Sequence, residues 1–200
     1  MASLLLLRHG RIRANRQGRW HGSTDSEPDW RGRREIRRTA RHVAAEHPDL
    51  AAIYSSPLRR CRQTAESVGR RLGLTPQLHD DLREYDLGEW EDMRFADLAL
   101  THDFFERIAS DPDFAPPGGE SLRAVAIRTA QALTEIEAAH TGGGRVLVVG
   151  HGAALGAALG QLLGGDPARW TEYQVANCSL TELVLSPTPY VNFFNATGHL

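Results

Sequence analysis

Two histidines stand in matching contexts, Arg8-His9-Gly10 and Gly150-His151-Gly152, and each follows an unbroken apolar run, Leu4 to Leu7 and Val146 to Val149. An imidazole can attack an electrophile or carry a proton. An arginine is a planar, permanently charged fork suited to phosphate, and a glycine lets backbone approach closely. A third segment, Ser56-Pro57-Leu58-Arg59-Arg60, sets two more arginines after the short apolar run Ala51 to Tyr54. If the three runs end on one rim, the result is a cationic, oxyanion-binding pocket with a nucleophilic imidazole in it.

Apolar runs that do not alternate read as strands buried on both faces. In an open α/β sheet the ligand crevice lies beyond the carboxyl ends of such strands, where these histidines and arginines stand. The segments between them have helical spacing. Ile36, Ala40, Val43 and Ala44 mark a helix from Arg33 to His47, and Leu58, Cys61, Ala65, Val68 and Leu72 mark one opened by Ser56 and Pro57. Leu122, Val125, Ala126, Leu133 and Ile136 mark a helix over 121–139, and Ala154, Leu155, Ala158, Leu159 and Leu162 mark one after His151. Two closing strands are expected at 179–185 and 190–194. The pattern predicts an α/β fold of one domain over 1–200, its central sheet mostly parallel with helices on both faces. The helix start after Ser56 is itself an expected anion site, because its N–H groups are free. Residues 11–31 read as a long polar loop. Residues 85–118 have a weak pattern, with a short helix near Met93 to Leu100 and several phenylalanines, and read as an inserted lid.

Composition removes many alternatives. The 200 residues carry a net charge of −2 and are 41% hydrophobic, with no overall bias toward nucleic acid or membrane. All 23 basic residues are arginine. The absence of lysine excludes a Walker-type phosphate loop, a kinase lysine and a Schiff base. The arginines of the 33–47 helix lack interleaved aromatics and read as a solvated face. The nine histidines show neither H-x-H nor H-E-x-x-H spacing, so no metal is expected. Gly150 to Gly156 superficially matches a dinucleotide fingerprint but lacks the acidic strand end that should follow. Cys61 and Cys178 read as reduced core thiols. With no cationic leader and no membrane-length apolar run, the expected location is the cytoplasm.

Taken together these segments resemble the histidine phosphatase superfamily, the phosphoglycerate mutase-like proteins. The resemblance runs nearly end to end. Arg8-His9-Gly10 stands at the family's first signature, Asn15, Arg19-Trp20-His21-Gly22, Asp25 and Gly32 follow its early loop, and Ser56 to Ala65 resembles its second signature. Leu82-Arg83-Glu84 with Gly88 and Trp90, then Pro117 to Ser121, His151-Gly152 and Asn177-Cys178-Ser179, complete it. One departure is Arg11-Ile12, where the family usually has Glu and Thr or Ser; Arg11 is expected as an extra cation beside the pocket.

The resemblance implies a three-layer αβα sandwich and a metal-independent phosphomonoesterase without cofactor. His9 would be the nucleophile, kept neutral by Arg8 and Arg60. Arg8, Arg60 and His151 would hold the phosphoryl oxygens, and Glu84 would be the proton donor and then the base. Asp86 and Glu89 are alternatives to Glu84. Asn15, His21, Gly22 and Gly152 are the expected substrate-binding positions. The substrate is a small phosphorylated metabolite; no nucleic acid or membrane partner is expected, and a homodimer is left open. Two other functions remain to be weighed, a phosphoglycerate mutase-type transfer and a non-catalytic phosphate-binding regulatory module. The sequence from Glu84 to Glu91 resembles the phosphatase branch, and the chain has no Lys anywhere and no arginine pair between Glu84 and Gly118 to grip a second acid group.

Overall fold

The four leucines at the start divide between two cores. In the computed structural model, which describes residues 2–200, they lie in β1 (Ser3–Arg8). The chain continues through α1 (Arg13–Gln17), α2 (Trp30–Glu46), β2 (Ala52–Ser55), α3 (Arg59–Leu72) and β3 (Gln77–Leu78). Then come α4 (Phe95–His102), α5 (Phe104–Ser110), α6 (Leu122–Ala138), β4 (Arg145–Gly150), α7 (Gly152–Gly164), β5 (Leu180–Val184) and β6 (Tyr190–Ala196). The strands form one six-stranded sheet in the order β3-β2-β4-β1-β5-β6. The first four in that order are parallel; β5 pairs antiparallel with β1, and β6 pairs antiparallel with β5.

Side chains alternate across a strand, so Leu4 and Leu6 face one layer and Leu5 and Leu7 the other. Leu4 and Leu6 cluster with Leu133 and Ile136 of α6 and Leu155 and Leu159 of α7. Leu5 and Leu7 cluster with Ala40 and Val43 of α2 and Ala65 and Val68 of α3. The three-layer arrangement follows directly. A third cluster lies over the carboxyl ends of the strands. There Leu87, Trp90, Leu98, Phe104 and Ile108 pack against Trp20, against Leu122 and Val125 of α6, and against Ala153 and Ala157 of α7. Burying side chains of this size is worth about 1.5–3 kcal/mol each, enough to fix the 85–118 segment in place.

Several boundaries differ from the sequence reading. α2 begins at Trp30 because Asp29 caps it, accepting from the Gly32 N–H at 2.8 Å. The 11–31 stretch contains α1, one turn too short to show a period, closed by Gly18 at φ 64°. α5 and the two-residue β3 were hidden for the same reason. Leu58 is the N-cap of α3, and Asp25 accepts the Arg59 N–H at 2.7 Å. The expected anion site at that helix start therefore already holds a carboxylate of the chain itself.

Candidate active site

Parallel register places the chemistry. Arg8 pairs with Gly150 across β1 and β4, and Ser55 with Val149 across β2 and β4. His9 and His151 therefore leave neighbouring strands side by side, their ring centroids 5.2 Å apart, and Ser56 Oγ lies 2.8 Å from His151 Nε2.

His9 is 3% exposed. Its Nδ1 is 2.9 Å from the Gly10 carbonyl, which can only accept, so Nδ1 carries the proton and Nε2 keeps a free lone pair. Burial pushes its pKa well below the usual histidine value, and Arg60 and Arg8 push in the same direction. The backbone behind it is fixed twice, by the His9 N–H to the Gly150 carbonyl at 3.0 Å and by Asn177 Nδ2 to the His9 carbonyl at 3.0 Å. Gly10 N–H donates to Thr64 Oγ1 at 3.1 Å.

Arg60 and His151 are fully buried and hydrogen-bonded to each other. Arg60 Nε donates to His151 Nδ1 at 3.2 Å, so that ring bears its proton on Nε2 and donates to Ser56. His151 is held neutral as well, by burial first and then by Arg60. The rest of the Arg60 fork donates to the carbonyls of Thr24 (2.7 Å), His21 (3.1 Å) and Gly22 (2.7 Å). Both side chains stand behind His9 rather than on the cavity wall.

The cavity, about 660 Å³, is lined by Arg8, His9, Asn15, His21, Glu84 and Gly152 among others. Arg8 donates to the Val175 carbonyl at 2.5 Å, while its buried Nε has no hydrogen-bond partner among the described residues. Gly152 makes room for it, since a Cβ there would lie 3.0 Å from the Arg8 Cζ. Glu84 accepts from Tyr85 N–H (3.0 Å), Ala154 N–H (2.8 Å) and Ala153 N–H (3.2 Å), so its carboxylate caps the start of α7. Asn15 Oδ1 accepts from Ile12 N–H at 3.1 Å, leaving the NH2 group for a ligand. His21 lies on the wall with both ring nitrogens engaged, by Ser26 (3.1 Å) and Asp92 (2.9 Å).

Two expectations are revised by these contacts. Gly22 is not on the wall; its N–H donates to Glu91 at 3.1 Å and its carbonyl accepts from Arg60. Arg11 is not a pocket cation either. Its Nε lies 3.7 Å from Asp29 Oδ2, turned toward the cap of α2, and Ile12 takes the place on the wall.

Sequence reasoning passed over two carboxylates that build the site from outside. Glu91 accepts the N–H groups of Gly22, Ser23 and Thr24 at 3.1 Å, the Thr24 hydroxyl at 2.5 Å and the Leu87 N–H at 3.2 Å. It thereby holds the loop whose carbonyls grip Arg60. Glu120 binds Arg128 through both oxygens at 2.8 Å, and Arg128 also donates to the carbonyls of Asp81, Arg83 and Glu84. That pair fixes the strand of chain bearing Glu84. Little that is local marks Glu91, since its partners other than Leu87 lie nearly seventy residues away. Glu91→Ala should leave several N–H groups without an acceptor and cost about 3 kcal/mol. A drop in the urea midpoint checks it; an unchanged midpoint would show that water replaces the carboxylate freely.

Comparison with known proteins places the chain in a family. A family model described as histidine phosphatase superfamily (branch 1) matches residues 4–192. A bifunctional protein of Mycobacterium tuberculosis is 32% identical over 98% of the chain, which spans only 54% of that relative's length. The chain thus covers about half of the first curated relatives it matches. An uncharacterized phosphatase, PhoE, of Bacillus subtilis is 30% identical over 100% of the chain and 97% of its own length. The solved mycobacterial glucosyl-3-phosphoglycerate phosphatase with VO3 superposes with a TM-score of 0.88 at 30% identity, covering 98% of this chain and 100% of that one. With its signature residues brought to one rim and the match extending over nearly the whole sequence, the chain belongs to branch 1 of the histidine phosphatase superfamily.

Proposed function

We propose that this chain hydrolyses small phosphomonoesters through a phosphohistidine on His9, without a metal. The observation that carries the reading is the pairing of a neutral His9, its Nε2 free, with the partnerless Nε of Arg8 at the same cavity. In the first step Nε2 forms a bond to phosphorus as the ester P–O bond breaks. Glu84 gives the departing oxygen its proton. The Nδ1–H bond to the Gly10 carbonyl supports the positive charge that develops on the ring. Arg8, with Arg60 behind His9, offsets charge spreading over the phosphoryl oxygens, and the Asn15 NH2 adds a neutral donor. In the second step water attacks phosphorus, Glu84 takes a proton from it, and Nε2 leaves as the free base. The 85–118 segment acts as the cover that keeps bulk water out. The two free, buried thiols suit a reducing compartment, the cytoplasm.

Hydrolysis is favoured over transfer to a second phosphorylated acid because the remaining wall cation is already engaged. Arg19 donates to the Asp92 carbonyl at 2.5 Å and lies 3.5 Å from its carboxylate. The test is release of inorganic phosphate from 4-nitrophenyl phosphate in the presence of EDTA. Phosphate release should persist, and should outpace transfer to added phosphoglycerate. Loss of activity in EDTA, or faster transfer than release, overturns the reading.

Burial and the two arginines also set a pH signature. Imidazole 15N resonances should show His9 as the Nδ1–H form and His151 as the Nε2–H form, both titrating well below the usual histidine midpoint. A midpoint near 6.5 for either would refute the assignment. The sign for stability follows: below about pH 6.5 the unfolded chain takes protons that the native rings do not. Each ring therefore removes about 1.4 kcal/mol of stability per pH unit until it is itself protonated.

A further inference from the structure

The outer part of the cavity is built from rings. Trp20, Phe95, Phe105 and Trp170 all line it. They form a continuous arc, with centroid distances of 5.5 Å for Trp20–Phe95, 6.2 Å for Trp20–Trp170, 6.4 Å for Phe105–Trp170 and 6.4 Å for Phe95–Phe105. The last two pairs are nearly parallel, at 23° and 25°, and the arc continues the buried aromatic cluster out to the cavity, where all four rings give it an apolar lining. Phe95 is 41% exposed although it borders a cavity, an apolar surface left open where a folded chain would ordinarily cover it.

The charges on that wall point the same way. Arg8 stands at the phosphate end beside His9, and Arg19 is neutralised by Asp92. Thr171 and Gln174, both exposed, add only neutral hydrogen-bonding groups. Among the described residues that line the wall no further arginine is left for a carboxylate on the substrate body, and Glu84 alone offers a carboxylate to an ammonium group. We infer that the cavity takes a phosphomonoester whose alcohol part is a neutral, flat ring system that stacks on Phe95 and Phe105, an assignment that rests on the phosphomonoester reading above.

The test compares 2-naphthyl phosphate, phenyl phosphate and phosphoserine as substrates, and measures binding of naphthylmethylphosphonate by quenching of tryptophan fluorescence. Expected are a kcat/KM about tenfold higher for the naphthyl than for the phenyl ester, and higher again than for phosphoserine. Phe95→Ala and Phe105→Ala should each bring the naphthyl-to-phenyl ratio toward one, and Phe95→Tyr should keep it. Phosphoserine equal to or better than the naphthyl ester, with phosphoenzyme still formed, overturns the ring assignment and leaves the phosphatase reading intact. So does a naphthyl preference that survives loss of both phenylalanines. Selective binding of the naphthyl phosphonate with no phosphoenzyme from any ester supports the ring assignment and overturns the phosphatase reading. The wild-type comparison does not depend on either variant folding.

Discussion

His9→Ala is expected to lower turnover of any phosphomonoester by at least about four orders of magnitude, because no other group among the described residues is placed to take over the attack. His151 is the nearest imidazole, yet both of its nitrogens are committed, to Arg60 and to Ser56, and it is fully buried. Cys61 and Cys178 offer no substitute, since burial drives both thiols toward their protonated form, Cys178 up to about 12. Acid quenching of the intact enzyme with labelled substrate should trap phosphate on His9, and the variant should trap none. A variant that retains a hundredth of the activity would mean another nucleophile. The fold should survive the change, because the side chain makes one hydrogen bond, to its own neighbour, and one edge contact with His151.

Glu84→Gln is expected to act differently on the two half-reactions. An alkoxide leaving group needs a proton, so an alkyl phosphate should lose about 10²–10⁴ in kcat/KM. A nitrophenolate leaves without one, so phosphorylation by 4-nitrophenyl phosphate should be largely spared while hydrolysis of the phosphohistidine still lacks its base. The measurable result is a stoichiometric burst of nitrophenol followed by slow turnover, with phosphoenzyme accumulating. Equal losses for both esters and no burst would assign Glu84 to structure alone. Such a structural share exists, because an amide nitrogen set against the Ala153 N–H cannot accept from it as Oε2 does at 3.2 Å. A small loss of stability, uniform across substrates, would be its signature.

The sequence announced what depended on short-range pattern. Four adjacent leucines before Arg8 could only be a strand covered on both sides, and β1 splits them two and two between the layers. The convergence of His9, His151 and Arg60 followed from three parallel strands ending together. What stayed hidden was direction and distance. Arg11 follows the signature immediately, yet its side chain turns to Asp29, a choice made by the cap of a helix eighteen residues on. Gly22 belongs to the site loop, but its N–H was claimed by Glu91 from a segment that is remote in sequence. The contacts of Arg60 were equally hidden, because an arginine can be satisfied by carbonyls, here those of Thr24, His21 and Gly22, that no local pattern reveals.

The place of β1 in the sheet carries a consequence for synthesis on the ribosome. It is made first among the strands, yet its neighbours are β4 and β5, with Leu4 opposite Val146 on one side and Leu183 on the other. At about 5–20 residues per second, the interval between translating β1 and finishing β4 is on the order of ten seconds. Through that interval an apolar strand with both edges open is a ready partner for another nascent chain. Sequence-distant pairing of this kind also makes folding slow. Yield in a cell should therefore depend on chaperones that shield β1, and a pause in translation before β4 should promote aggregation more than one after β5.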